Sequence, residues 1–232
     1  MSTANDWSKP MGFSVQSRSK RVPDSCRQWA PDHYLAPSVR GHSAPHPGVC
    51  LHMTRNYKVL MISGSLRGGS TNTALVRTAM TVGLPLMVLS LYEGMSELPH
   101  VNPDDDVPPR SPAVEGLRAA IRAADAVVFS TPEYAGDLPG SFKNLLDWAV
   151  GDDQTASLYE KPVAWINCSP RGATDAHASL LRVLGYLGAT IVSEACVRTP
   201  LERISIGSDG LVDSDEVRRS LADALTHLGA AI

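Results

Sequence analysis

Apolar residues recur along the chain in two alternating rhythms. Short, nearly unbroken runs at 59–62, 86–90, 126–130 and 163–167 have the length and β-branched content of strands buried on both faces. Between them the spacing changes to the helical one. A helix is expected over 70–82. A second carries Val114, Leu117, Ile121 and Ala124 on one face, opened by Ser111 as a capping hydroxyl and by Pro112 in its first turn. A short helix ends at Trp148, and a fourth shows Leu180, Leu184 and Leu187. The stretch 190–197 reads as a fifth strand with a break before Cys196. Asp213 with Glu216 three residues on forms a capping box for a last helix, whose core face is Val217, Leu221, Leu225 and Leu228. Five strands alternating with five helices predict an α/β fold, a doubly wound five-stranded parallel sheet with helices on both faces. Ligands of such sheets sit beyond the carboxyl ends of the strands.

The rhythm is absent from residues 1–56, where Pro, Ser, Arg and His are frequent. We expect a disordered N-terminal extension there, with 57–232 as the folded domain and Met53 as an alternative start. Charge separates the same two parts. Of the 232 residues, the first 56 hold seven Lys/Arg against three Asp/Glu (+4), and the remainder holds fourteen against twenty-one (−7). An acidic globular body argues against nucleic acid as its partner. No apolar run reaches the roughly 20 residues of a membrane span, and no signal-peptide pattern is present, so a cytoplasmic protein is expected. Cys26, Cys50, Cys168 and Cys196 form no C-x-x-C pair and read as free thiols. His42, His46, Cys50 and His52 are potential metal ligands close together, but they lack flanking structure and we assign no metal site. Arg18, Lys20 and Arg21 read as solvated tail.

Chemistry concentrates first in YKVLMISGSLRGGSTN, residues 57–72. The apolar run stops at Ser63-Gly64, and Ser65, Arg67, Gly68, Gly69, Ser70, Thr71 and Asn72 precede the first helix. Glycines allow a tight turn that presents backbone N–H groups, and the helix dipole adds partial positive charge. Ser65, Ser70 and Asn72 are hydrogen-bond donors, and Arg67 offers a planar fork for a phosphate. The ATP-binding loop is excluded because Ser70 stands where its lysine belongs. The dinucleotide fingerprint G-x-G-x-x-G is absent as well.

The second concentration follows the third strand, at 131–148: TPEYAGDLPGSFKNLLDW. Taken together, G-S-x-R-x-x-S-x-N after strand one and P-E-Y-x-x-x-x-P-x-x-x-K-N-x-x-D-W after strand three closely resemble the NADPH-dependent FMN reductase family. That family includes flavodoxin-like quinone, chromate and azo-dye reductases, and the resemblance spans about 58–230. It implies that Ser65, Arg67, Ser70, Thr71 and Asn72 hold the FMN phosphate, and that Pro132, Glu133, Tyr134, Ala135 and Gly136 border the isoalloxazine ring, largely through backbone. Many relatives carry Asn where this chain has Ala135, and small residues where it has Asp137. Lys143, Asn144, Asp147 and Trp148 read as structural: a helix start, ion pairs and a buried tryptophan. In the family this region contributes to a subunit interface, so a homodimer or homotetramer is implied.

A third loop, Cys168-Ser169-Pro170-Arg171-Gly172-Ala173, follows strand four, where relatives place a Ser/Gly-rich loop against the flavin edge. Ser169 and Gly172 match it. Arg171 is a tentative contact for the phosphates of NADPH or for an anionic acceptor. Cys168 reads as a small residue closing a buried strand, not a redox thiol. His100, His177 and His227 have no partner spacing. The resemblance thus implies an enzyme that passes hydride from NADPH or NADH through FMN to a quinone, azo, metal-oxyanion or flavin acceptor by a ping-pong mechanism. It needs no catalytic side chain, because the chemistry is the flavin's. The competing readings are a flavodoxin-type electron carrier without an NAD(P)H site and a non-catalytic regulatory protein on the same fold.

Overall fold

The computed structural model describes residues 56–82, 84–150, 158–201 and 205–232. The expected extension, with Cys26, Cys50 and the cluster of His42, His46, Cys50 and His52, lies outside the described residues. In chain order the elements are β1 (Tyr57–Ser63), α1 (Thr71–Met80), β2 (Met87–Tyr92), α2 (Pro112–Ala123), β3 (Ala126–Ser130), α3 (Gly140–Trp148), β4 (Pro162–Asn167), α4 (Thr174–Tyr186), β5 (Thr190–Ile191), β6 (Val197–Arg198) and α5 (Asp215–Gly229). All strand pairs are parallel, in the order β2-β1-β3-β4-β5, and β6 pairs β4 beyond β5. This is the flavodoxin-like order, whose switch point lies between β1 and β3.

Strand alternation sorts the core into two layers. Leu60, Ile62, Val127, Phe129, Val163 and Trp165 face α2, α3 and α4, packing on Leu117, Ile121, Phe142, Leu145, Leu180 and Leu184. Val59, Met61, Ala126, Val128, Ala164 and Ile166 face α1 and α5, packing on Leu75, Val76, Leu221, Leu225 and Leu228. With both faces covered, β1, β3 and β4 read as continuous apolar runs rather than alternating ones. Each Val, Leu, Ile, Phe or Met side chain among them taken fully from water stabilises the fold by about 1.5–3 kcal/mol.

Several local expectations differ from the structure. Strand β2 runs over Met87–Tyr92, one residue later than 86–90 at its start, because Leu86 has φ +65 and turns the chain into the strand. The fifth strand is interrupted earlier and for longer than expected: a 3₁₀ turn at Ser193–Ala195 separates β5 from β6, and both pieces pair with β4. Helix α2 opens with Pro112 in its first turn, but the Ser111 hydroxyl makes no capping bond. The capping box of Asp213 and Glu216 is not formed. Asp213 donates its backbone N–H to Ser205 O at 3.1 Å, closing a small hairpin, and Ser214 caps α5 by accepting from Val217 N. The structural reading of α3 holds: Lys143 pairs with Asp147 at 2.6 Å, and Trp148 is buried with its indole N–H on Pro99 O at 2.8 Å. Asn144 fixes the same segment, donating to Pro99 O and accepting from Val101 N.

Candidate functional site

Three loops leave the carboxyl ends of β1, β3 and β4, and the structure brings them together. The first follows Ser63. Gly64 donates its N–H to Ser130 O at 2.7 Å, and a Cβ at Gly64 would lie 2.7 Å from Thr131 Oγ1 and 2.9 Å from the Phe142 ring. Only glycine lets the first loop cross this close to the second. Gly69, at φ +73, turns the chain into α1. Ser70 is the N-cap, its hydroxyl accepting from Thr73 N at 3.4 Å. Among the described residues, no backbone carbonyl accepts from the N–H groups of Leu66, Gly68 or Gly69. A helix N-terminus with open donors is an anion receptor. Arg67 is exposed at its rim, its side chain without an ion pair among the described residues, and a cavity of about 240 Å³ opens beside the loop between Gly69, Ser70, Thr73, Arg77, Ile206 and Gly210.

Ser65, Arg67, Ser70, Thr71 and Asn72 therefore cluster at one helix end. Ser65 also accepts from Arg67 N at 3.4 Å. Asn72 is buried, its Oδ1 accepting from the Ser130 hydroxyl at 3.0 Å. Cys168, at the end of β4, lies beneath them, with Sγ 3.3 Å from Asn72 Oδ1 and 3.6 Å from Thr71 Oγ1. Burial pushes its thiol pKa up, the opposite of what a reactive cysteine needs.

The second loop is a closed turn. Tyr134 and Asp137 exchange backbone hydrogen bonds at 3.0 and 3.1 Å around Ala135 (φ +51) and Gly136 (φ +76). Positive φ at both central residues is what a two-residue type I′ connection demands. The turn leaves the Tyr134 ring half-exposed beside Pro132. Glu133 is expected to border a ring through its backbone. Its carboxylate does something the sequence did not reveal: Oε2 accepts from Asp175 N at 3.0 Å and Ala176 N at 3.1 Å, capping α4. Asp137 leans the same way. The Ser179 hydroxyl, then the Leu138 amide, hold its carboxyl below the usual range. Two acids thus fasten the second loop to the helix that follows the third.

In the third loop Asn167 donates to Gly172 O at 2.5 Å and accepts from Ser169 N at 2.8 Å. Gly172 (φ +99) and Ala173 (φ +50) then turn the chain into α4. Arg171 is exposed and makes no ion pair among the described residues. Arg198 from β6, which sequence reasoning missed, spans the loop instead, donating to Pro170 O at 2.8 Å. His177 is buried below, its Nδ1 2.8 Å from Ala173 O, and burial lowers its pKa. Among the described residues there is no metal-binding group of His, Cys, Asp or Glu, and no helix is long and apolar enough to cross a membrane.

Comparison with known proteins gives the family and the fold. The family model described as NADPH-dependent FMN reductase matches residues 57–200. A probable NADPH:quinone oxidoreductase 2 of Oryza sativa subsp. japonica is 32% identical over 180 residues, covering 75% of this chain and 87% of that protein. An NAD(P)H-dependent FMN reductase of Pseudomonas aeruginosa is 33% identical over 178 residues, covering 76% and 95%. Among solved structures, a flavoenzyme NAD(P)H:(acceptor) oxidoreductase from Paracoccus denitrificans superposes with a TM-score of 0.61 at 26% identity, over 75% of this chain and 98% of that one. An oxidoreductase from Corynebacterium diphtheriae shares the fold, with a TM-score of 0.55 at 21% identity over 77% and 98%. The chain belongs to the NADPH-dependent FMN reductase family.

Proposed function

We propose that this protein is an NAD(P)H-dependent oxidoreductase that carries FMN across the switch point between β1 and β3. The observation that carries the reading is the set of open donors at the α1 N-terminus, on a loop that Gly64 brings against the start of the loop holding the closed Tyr134–Asp137 turn. A dianionic phosphate suits the first feature and a flat ring the second. Ser65, Arg67, Ser70, Thr71 and Asn72 would hold the phosphate. Pro132, Glu133, Tyr134, Ala135 and Gly136 would form one wall for the ring, with Ser169 and Gly172 at its edge. Bound there, FMN would supply hydride acceptance from NADPH or NADH and electron delivery to a small-molecule acceptor such as a quinone, azo compound, metal oxyanion or free flavin. The chain's own part is to bind, orient and limit solvent access, since hydride transfer to the flavin requires no acid or base side chain. One face serving donor and acceptor in turn gives ping-pong kinetics, read as parallel double-reciprocal plots. A homodimer or homotetramer is the expected assembly, checked by sedimentation.

Two measurements test this reading. The protein with added FMN should show a bound-flavin visible spectrum that bleaches on anaerobic titration with stoichiometric NADPH or NADH. Flavin that binds but does not bleach would favour the electron-carrier alternative, and absence of binding would end both. Arg171, exposed on the third loop and without an ion pair among the described residues, would attract the NADPH phosphates or an anionic acceptor. Arg171→Ala should raise the NADPH Michaelis constant, and an unchanged value would remove it from the site.

A further inference from the structure

We infer that Ser130 and Cys168 are positioning residues, which hold the Asn72 carboxamide with its oxygen toward the sheet and its NH₂ group toward the phosphate site. The inference rests on the FMN reading above and assigns work to two side chains outside the family's motif positions. Asn72 is 6% exposed, and its Oδ1 accepts from a hydroxyl at the end of β3 (3.0 Å) and a thiol at the end of β4 (3.3 Å). The thiol has one proton to give. Thr71 Oγ1 is the other acceptor in reach, at 3.6 Å, so Asn72 is the nearer. With Cys168 2% exposed, burial raises its pKa and keeps that proton in place.

A carboxamide is chemically two-ended. The oxygen only accepts and the nitrogen only donates, with two hydrogens. Two donors converging on Oδ1 select one of the two amide orientations. The flipped one would press N–H groups against a sulfur, a weak acceptor, and turn a carbonyl oxygen toward the place where an anion binds. In the selected orientation Nδ2 meets no acceptor among the described residues, yet it is not sealed from solvent. It is a nine-tenths buried donor at the first turn of α1, next to the Ser70 and Thr71 amides. Beside these, Asn72 adds two N–H groups whose direction is set from below, by strands β3 and β4. The strand ends therefore determine whether this residue attracts a phosphate or repels one.

FMN and riboflavin share ring and ribityl chain and differ only in the phosphate, so their affinity ratio isolates this effect from general packing. Dissociation constants for both would be measured by flavin fluorescence quenching on the wild-type protein, Ser130→Ala, Cys168→Val, Cys168→Ser and Asn72→Ala. For Ser130→Ala and Cys168→Val, FMN should weaken roughly threefold to tenfold, as for loss of one hydrogen bond, and riboflavin by less than about twofold. Cys168→Ser, which keeps a donor, should restore the wild-type ratio, and the double variant should go no further than Asn72→Ala. If Cys168→Val melts too low to be loaded, Cys168→Ala removes the same donor. Equal weakening of both flavins, or an unchanged ratio in both single variants, would overturn the inference and leave the FMN reading standing. A wild-type protein with no preference for FMN over riboflavin would overturn both.

Discussion

In the first loop, the N–H groups of Leu66, Gly68 and Gly69 find no backbone acceptor among the described residues, and the Arg67 and Arg77 side chains stand exposed around them. In the second, Tyr134 and Asp137 satisfy each other across a closed turn, and Glu133 reaches 42 residues along the chain to cap α4. The first region is an open loop, and the second is closed on itself, although its Glu133, Ala135 and Gly136 N–H groups also find no acceptor among the described residues. A surplus of donors is what a charged ligand fills, at the cost of a loop that is less well held without it. A closed turn is what a flat ligand rests on, already rigid before binding. The phosphate end should therefore govern affinity, and the ring wall should govern the stability of the empty protein. Each end can be broken separately.

The largest effect is expected from Arg67→Ala. Removing a charge-assisted contact to phosphate should weaken FMN by about 1.5–3 kcal/mol, roughly 10- to 100-fold. The empty protein should melt at the wild-type temperature, because the Arg67 side chain makes no ion pair or hydrogen bond among the described residues. Full flavin occupancy in this variant would break the comparison at its phosphate end. Gly64→Ala acts where the two regions touch. A Cβ 2.7 Å from Thr131 Oγ1 and 2.9 Å from the buried Phe142 ring forces both loops apart. Overpacking of this kind costs about 1–3 kcal/mol, so the melting temperature and flavin affinity should fall together.

Much of this design was legible in the sequence, and the rest was hidden for a physical reason. β1, β3 and β4 were readable because both faces are covered, which leaves an apolar signal at every position. β2, at the sheet edge and half-exposed, and the interrupted β5 and β6 gave weaker signals, and their boundaries moved. Ser70 was readable as part of a glycine-rich helix start. The Asp213 cap was one residue out of register, since Ser214 is the N-cap, and Ser111 stands at the expected N-cap without its hydroxyl bond; propensity resolves neither register nor side-chain geometry. Glu133, Asp137, Ser130, Cys168 and Arg198 had no signal at all for the roles they play. Their partners lie on other elements, 42 residues away for Glu133 and 96 for Cys168, and come into reach only once the sheet is wound.

The ring wall can be loosened without touching a ligand. Glu133→Ala removes the cap on α4 and should cost about 1 kcal/mol, lowering the melting temperature of the empty protein. Because the wall is common to both ligands, FMN and riboflavin should weaken by the same factor, in contrast to Arg67→Ala. Glu133→Gln keeps an accepting oxygen and should recover most of the loss. Acid should act on the same strap through Asp137. Its carboxyl is held below the usual range by the Ser179 hydroxyl, so the stability it contributes is present above the unfolded carboxylate pKa of about 3.9 and is lost as pH falls through the lower folded value. Thermal melts from pH 6 downward should show a smaller decline in Asp137→Asn than in the parent. Identical slopes would remove Asp137 from the strap.

The smallest change tests whether the wall is as well made as it could be. Ala135 has φ +51, in the left-handed region that a Cβ disfavours and that Gly or Asn enters readily. The Asn that the family resemblance implies at this position would ease the backbone as well as add a polar group. Ala135→Gly removes the Cβ penalty but adds freedom to the unfolded chain, so the net gain should be less than about 1 kcal/mol. Ala135→Asn should gain a similar amount and add a side-chain amide at the ring's edge. If both variants raise the melting temperature but only Asn tightens flavin binding, the residue acts on the ligand directly. If both tighten it equally, the turn's rigidity alone carries the effect, and the wall contributes by being stiff before the ring arrives. A drop in melting temperature for both would mean that the turn is not under strain at Ala135, and the division between a closed wall and an open phosphate end would lose its backbone argument.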